Sequence, residues 1–265
     1  MLSSYVPRRI LGIIPARFAS SRFPGKVLAT LAGRTVLQHV YERAACARYL
    51  TEVVIATDDD RVRDAARAFG AHVRMTRADH VSGTDRAAEA ASADSASLVV
   101  NIQGDEPLID PEAIDAAVLG LLEAPDVPMG TLKKRIEEPA EISNPNAVKV
   151  VTDRSGNAIY FSRSPIPYVR EDGEPAPHYR HIGLYVYRRE FLLGYPELPM
   201  GPLERAERLE QLRALENGFR IRVVETAYDS VGIDTPGDLE RVSRMFDHAG
   251  ALRSPSSGTT GDIDG

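Results

Sequence analysis

The stretch Pro15-Ala16-Arg17-Phe18-Ala19-Ser20-Ser21-Arg22-Phe23-Pro24-Gly25-Lys26 puts three cations into one short loop directly after an apolar run. In parallel α/β sheets, ligands bind beyond the carboxyl ends of the strands, which is where a loop following Ile10–Pro15 must sit. Arg17, Arg22 and Lys26 with a row of backbone N–H groups suit a polyphosphate: the N–H groups cradle its oxygens and the cations neutralise them. The loop is not a P-loop, because Ser20 stands where the upstream glycine belongs and Val27 replaces the magnesium-holding Ser or Thr. No G-x-G-x-x-G follows the strand, so the dinucleotide fingerprint is absent. A cationic surface loop turning at Pro24-Gly25 is the alternative reading.

Two carboxylates are placed to complement such a loop. Asp105, in Val99-Val100-Asn101-Ile102-Gln103-Gly104-Asp105-Glu106-Pro107, follows a strand, and Gly104 lets the backbone come close to a ligand. A carboxylate facing a polyphosphate is repelled unless a divalent cation lies between them, and Mg²⁺ is typically held by one or two carboxylates plus phosphate oxygens and water. A polar strand-to-helix turn explains the same motif. In Gly232-Ile233-Asp234-Thr235-Pro236-Gly237-Asp238, Thr235 reads as an N-cap and Asp238 as its capping-box partner, which leaves Asp234 unassigned. Asp234 is either a second metal carboxylate or a charge favouring the helix dipole.

Ser82-Gly83-Thr84-Asp85-Arg86 is a helix start with Ser82 as cap and Asp85 closing the box, and its N-terminus and Arg86 suit an anion or a base edge. None of the six histidines forms H-E-x-x-H, and His178-x-x-His181 precedes a strand, which argues against zinc. His181 and Tyr185, four apart on a strand, share a face; they are substrate contacts or a half-buried core pair. Glu210 and Gln211 fall on the polar side of an amphipathic segment and read, on pattern alone, as solvated surface.

The elements that must position these residues alternate as in a parallel sheet covered by helices. Strands are expected at Ile10–Pro15, Glu52–Thr57, His72–Thr76 and Leu98–Gln103, with helices at Val36–Arg48, Asp60–Phe69 and Thr84–Ala93. A further helix opens at Pro111 behind an Asp110 cap. Beyond Glu123 the pattern predicts strands at Val148–Thr152, Ala158–Ser162 and His181–Tyr187 and one amphipathic helix from Pro202 to Glu216, with Leu203, Ala206, Leu209, Leu212 and Leu215 on its buried face. A strand at Arg220–Glu225 and a helix from Pro236 to about Phe246 follow. The fold class is α/β: a single Rossmann-like domain with a mostly parallel mixed sheet, expected over residues 10–248 between a short N-terminal extension, 1–9, and a Ser/Gly/Thr-rich tail, 249–265, expected to be disordered.

Composition narrows the function classes. In 265 residues, 43% hydrophobic and 26% charged describe a soluble globular chain. With 32 Lys and Arg against 38 Asp and Glu the net charge is −6, and binding of nucleic acid through phosphate neutralisation is disfavoured. A single cysteine, Cys46, forms no internal disulfide and fits a reducing cytoplasm. No apolar run reaches a bilayer span, and Ile10–Ile14 is cut short by Pro15 and Arg17 without a cleavage site, so neither a membrane partner nor export is expected.

Taken together and in order, the segments IIPARFASSRFPGK, ATDDDRV, MTRADHVSGTDR, VVNIQGDEP, NPNAVKVV, YFSRSPIP, RHIGLYVYRREFL, PLERAERLEQLRALENG and GIDTPGDLERV resemble the CMP-Kdo synthetases, or 3-deoxy-manno-octulosonate cytidylyltransferases. The resemblance runs over residues 10–246. It implies a nucleotidyltransferase domain with a small β-containing dimerisation lobe at about 130–190, hence a homodimer. It also implies a CTP site using Ala16, Arg17, Arg22, Lys26, Ser82 and Gln103, the last two reading cytosine. Asp105 and Asp234 would hold Mg²⁺, either one ion alone or one with a second on the triphosphate, and Arg17 and Lys26 would join them as catalytic groups. Arg86, Gln103, His181, Tyr185, Glu210 and Gln211 would form the pocket for a 2-keto-3-deoxy sugar acid.

The implied reaction is in-line attack of the anomeric hydroxyl of 3-deoxy-manno-octulosonate (Kdo) on the α-phosphorus of CTP, giving CMP-Kdo and pyrophosphate, in a family whose product feeds lipopolysaccharide assembly. Catalysis would then rest on positioning and charge stabilisation. The rivals are a cytidylyltransferase for a sialic-type acid, an amino-substituted octulosonate or a phosphonate, and a non-catalytic nucleotide-binding protein of the same fold. Paired carboxylates without a cation are costly, which weighs against the last.

Overall fold

The computed structural model describes residues 9–251 apart from 21 and 175. The N-terminal extension before Arg9 and the tail beyond Ala251 therefore lie outside the described residues. In chain order the elements begin with β1 (Ile10–Pro15), β2 (Thr30–Leu31), β3 (Arg34–Thr35), α1 (Val36–Ala44), β4 (Glu52–Thr57), α2 (Asp60–Ala68) and β5 (His72–Met75). They continue with α3 (Gly83–Ser92), β6 (Leu98–Asn101), α4 (Pro111–Leu122), β7 (Met129–Arg135), α5 (Pro139–Ser143), β8 (Lys149–Thr152), β9 (Ala158–Ser162) and β10 (Tyr179–Arg188). The last are α6 (Arg189–Gly194), α7 (Pro202–Glu207), α8 (Leu212–Glu216), β11 (Ile221–Glu225) and α9 (Pro236–Ala251).

The main sheet runs β11-β7-β10-β6-β1-β4-β5, with β8 branching from β10 and β9 pairing β8. β1 is parallel to β4 and β6, and β4 to β5, whereas β10 lies antiparallel to both β6 and β7. β1 explains the two-sided burial: Ile10 and Ile14 pack into the core layer under α1 and α4 with Leu37, Ile114 and Val118. Leu11 and Ile13 point the other way, among Ala87, Val99 and Leu212. This alternation with apolar residues on both faces is what a parallel sheet between helix layers requires.

Capping chemistry fixes the helix starts as the sequence predicts. Asp110 accepts from the N–H of Glu112, and Ser82 and Asp85 form a reciprocal box at the start of α3. Two departures from the sequence reading change the architecture most. Pro202–Glu216 is two short helices, because Arg208 adopts a left-handed conformation (φ 52°) that ends α7. Leu203 is consequently 42% exposed while Leu209 and Leu212 are buried. β7 is absent from the pattern reading, yet it carries β10 on one edge and β11 on the other. Its Thr131 is a buried polar residue and Lys133 and Lys134 follow, which masks the strand signal.

Candidate active site

The cleft opens where β6 stops and the sheet divides. β10 pairs β6 only from Tyr185 to Arg188; its earlier half runs past the end of β6, and Arg180 pairs Lys149 of β8 instead. A β-bulge between Ile182 and Tyr185 accommodates this change, and the Gln103 side-chain amide donates to Gly183 O there (3.1 Å). Such a division at the carboxyl ends of parallel strands leaves a crevice between the outgoing chains.

A cavity of about 240 Å³ in this crevice is lined by the sequence-predicted Arg17, Arg22, Lys26, Ser82, Arg86, Gln103, Asp105 and Asp234. Lys26 is the centre of charge. Its Nζ donates to Asp105 Oδ2 (2.5 Å) and Asp234 Oδ1 (2.8 Å), and Arg22 donates to Asp234 Oδ2 (3.0 Å). Burial pulls the Lys26 pKa down, but the two carboxylates outweigh it and hold it above the ordinary lysine value. Asp105 arrives on the turn after β6, where a Cβ at Gly104 would lie 2.9 Å from Pro15 O, so only glycine lets β1 and this turn pass so closely. Asp234 lies two residues ahead of α9, in a segment anchored by Ile233, which packs with Val242 of α9 against Leu31 and Val36, and Ile233 N donates to Asp105 O (2.9 Å). Thr235 and Asp238 form the expected cap, so the Asp234 carboxylate is left to face Lys26.

Ala16 does not face this cavity: it is 1% exposed, and its N–H donates to Ala56 O (2.8 Å). The N–H groups of Gly25 and Lys26 are likewise bonded, to Phe18 O and Phe23 O. The expected row of free N–H donors is thus partly used to shape the loop, and its anion-facing charge comes from side chains. Arg86 is 4% exposed, with its guanidinium against Asp58 (3.1 Å) and Thr76.

The remaining predicted residues, His181, Tyr185, Glu210 and Gln211, do not line this cavity. Glu210 and Gln211, read from pattern as solvated, are drawn inward because the break at Arg208 turns the 208–211 segment toward the sheet. Gln211 is 4% exposed and its Oε1 accepts from Tyr185 OH (3.1 Å). Glu210 accepts from Ser82 Oγ (3.1 Å) and Thr84 Oγ1 (3.2 Å). Burial raises the Glu210 carboxyl pKa, opposed by the Ser82 hydrogen bond and by Arg213. His181 shares a hydrogen bond with Thr131 Oγ1 (3.0 Å) and lies tilted at 44° to the Tyr185 ring, their centroids 5.4 Å apart. Burial lowers the His181 pKa to about 3, so the ring is neutral, and burial pushes the Tyr185 hydroxyl well above 10. His181 lines a second depression with Arg180, Gly183 and Asn146.

Pattern reading missed His80, which also lines the cavity and pairs with Glu89, and Thr84 and Thr131, which support Glu210 and His181. His80 had a signal in its position two residues before the Ser82 cap; the threonines had none.

The two carboxylates fit a divalent cation, since both aim an oxygen at one point that an ammonium group already occupies. Among the described residues no cluster of three or more His, Cys, Asp or Glu side chains exists, so any metal here would complete its shell with substrate oxygens and water.

Comparison with known proteins agrees with this geometry. The cytidylyltransferase family model matches residues 11–222. The 3-deoxy-manno-octulosonate cytidylyltransferase of Solibacter usitatus is 70% identical over 241 residues, covering 91% of this chain and 96% of the relative. That of Geobacter sulfurreducens is 57% identical over 88% of this chain and 97% of its own. A solved CMP:2-keto-3-deoxy-manno-octonic acid synthetase in complex with CTP superposes with a TM-score of 0.88 at 44% identity, over 91% of this chain and 99% of that one. With a fold and a sequence shared over nine-tenths of its length, the chain belongs to the cytidylyltransferase family, among the 3-deoxy-manno-octulosonate cytidylyltransferases.

Proposed function

We propose that this protein transfers CMP from CTP to the anomeric hydroxyl of Kdo, releasing pyrophosphate. The observation that carries the reading is the convergence of Lys26, Asp105 and Asp234 at the mouth of β1 and β6, in one cavity with Arg17, Arg22, Ser82 and Gln103. Arg17, Arg22 and Lys26 hold the triphosphate and neutralise charge that develops as pyrophosphate departs. Ser82 and Gln103 read the base from the α3 N-terminus and the β6 turn. Arg86, Gln103, His181, Tyr185, Glu210 and Gln211 orient the sugar acid so that its hydroxyl meets the α-phosphorus in line. The neutral His181 ring does this by hydrogen bonding, not by charge. Asp105 and Asp234 would hold a Mg²⁺, which when bound would supply charge neutralisation and a lower pKa for the attacking hydroxyl.

The Kdo assignment rests on the names of the relatives and on the joint match of the sugar-side segments. We further propose a cytoplasmic homodimer whose contact lies in the 130–190 segment, where Ile159, Tyr168 and Val169 stay exposed. Among the described residues no helix is long and apolar enough to cross a membrane.

Incubation of the purified protein with each of the four NTPs, Mg²⁺ and Kdo, followed by pyrophosphate release, tests the reading. Release is expected with CTP and Kdo together and is abolished by EDTA. CTP binding without release on Kdo overturns the sugar assignment, and a screen of other 2-keto acids then follows. Light scattering at several concentrations tests the dimer.

A further inference from the structure

The loop cations and the cleft carboxylates, each suited to a different part of a metal nucleotide, are paired with one another in the substrate-free protein. Two cations, Lys26 and Arg22, face two carboxylates, Asp105 and Asp234, so the charge of the cluster is already balanced. The Lys26 side chain is 13% exposed and lies between both carboxylates, whereas Arg22 is 68% exposed and pairs with Asp234. The backbone on both sides is held: Val27 is 4% exposed in a 3-10 turn fixed by Leu28 N to Gly25 O (2.8 Å), and Asp105 O accepts from Ile233 N. The four-carbon stem of Lys26 can swing while this backbone stays in place.

A divalent cation entering this balanced cluster would sit beside an ammonium and a guanidinium, with like charges at contact distance in a partly buried cleft. A triphosphate reverses the situation, since its oxygens offer Lys26 and Arg22 new partners and free the carboxylates for the metal. We propose that Lys26 is an internal counter-cation that keeps divalent metal off Asp105 and Asp234 until the nucleotide draws it away, so that metal and CTP load together. This rests on the reading of the two aspartates as the metal pair and adds a positioning role for Lys26 in the free protein.

Mn²⁺ titration of the nucleotide-free protein, followed by the EPR signal of free Mn²⁺, tests the proposal without turnover. Weak binding is expected for wild type, binding at least tenfold tighter for Lys26→Met and Lys26→Gln, and wild-type weakness for Lys26→Arg. Adding Asp105→Asn to Lys26→Met should remove the gain. Thermal melts confirm that each variant is folded. No gain in either folded neutral variant overturns the proposal, as does a gain that survives Asp105→Asn. Pyrophosphate release by wild type with CTP and Kdo, run in parallel, tests the transferase reading alone, so the two failures are distinguishable.

Discussion

The Ser82 hydroxyl donates a hydrogen bond to Glu210 across 3.1 Å, joining the first turn of α3 to the segment between α7 and α8, 128 residues away in the chain. Ser82 also accepts from Asp85 N, so its oxygen holds the helix start while its proton goes to Glu210. A residue assigned to the nucleotide and one assigned to the sugar acid therefore share one bond.

Coupling of the two substrate sites follows. Ser82→Ala and Glu210→Gln should each raise the KM of both substrates, and Ser82→Ala should cost about 1 kcal/mol of stability through loss of the cap. In a double-mutant cycle on kcat/KM, the pair should be non-additive by about 0.5–3 kcal/mol. Additive effects would show that the bond has no functional weight.

Removal of Asp105 separates chemistry from folding. Asp105 is 26% exposed at its side chain and its backbone oxygen, not its carboxylate, receives Ile233 N. Asp105→Ala should lower kcat by about 10²–10³ or more, the loss typical of an electrostatic stabiliser, with a melting temperature close to wild type. A wild-type-like rate removes Asp105 from the metal role.

Acid should weaken the fold through His181. Its folded pKa is brought down to about 3 by burial, well below the unfolded value near 6.5. The unfolded chain then binds the proton first, so the stabilisation is complete above about pH 6.5 and declines as pH falls toward 3. Between pH 6.5 and 5 the loss from this group is about 2 kcal/mol. Urea denaturation across that range should show this loss in wild type and a shallower one in His181→Gln. Imidazole NMR should find a His181 ring that stays neutral at pH 5; a ring titrating near 6 would contradict the burial argument.

Lys149 is a structural cation. It is fully buried, and its Nζ donates to Asn144 O (2.9 Å), Ala147 O (2.6 Å) and Arg163 O (2.6 Å). Lys149→Met keeps the volume but strands three carbonyls, each costing about 1–3 kcal/mol when unpaired. Chemical denaturation should show a loss of several kcal/mol, with KM for CTP little changed in the folded fraction. Unchanged stability would mean that water replaces the ammonium.

Legibility of the fold tracks how local its causes are. β1, β4 and β9 have the boundaries read from the sequence because short β-branched runs bounded by turn residues specify them within a few positions. The Ser82, Asp110 and Thr235 caps were legible because donor and acceptor lie within a turn. β7 was not, since Lys133 and Lys134 blur its alternation and its status as a strand comes from β10 and β11. The split at Arg208 was hidden because leucines at three-residue spacing look helical whether or not one residue between them leaves the helix.

The sequence by itself determined the residue types at the site, the loop and caps that present them, and the family whose segments they match. Tertiary structure alone decided that Lys26 meets Asp234 from 208 residues away, that Glu210 and Gln211 turn inward, and that Ala16 is spent on Ala56. Side-chain identity and local hydrogen bonding are properties of a few neighbouring residues. The meeting of distant charges depends on sheet order, on the bulge in β10 and on the docking of α9, and no single segment encodes these.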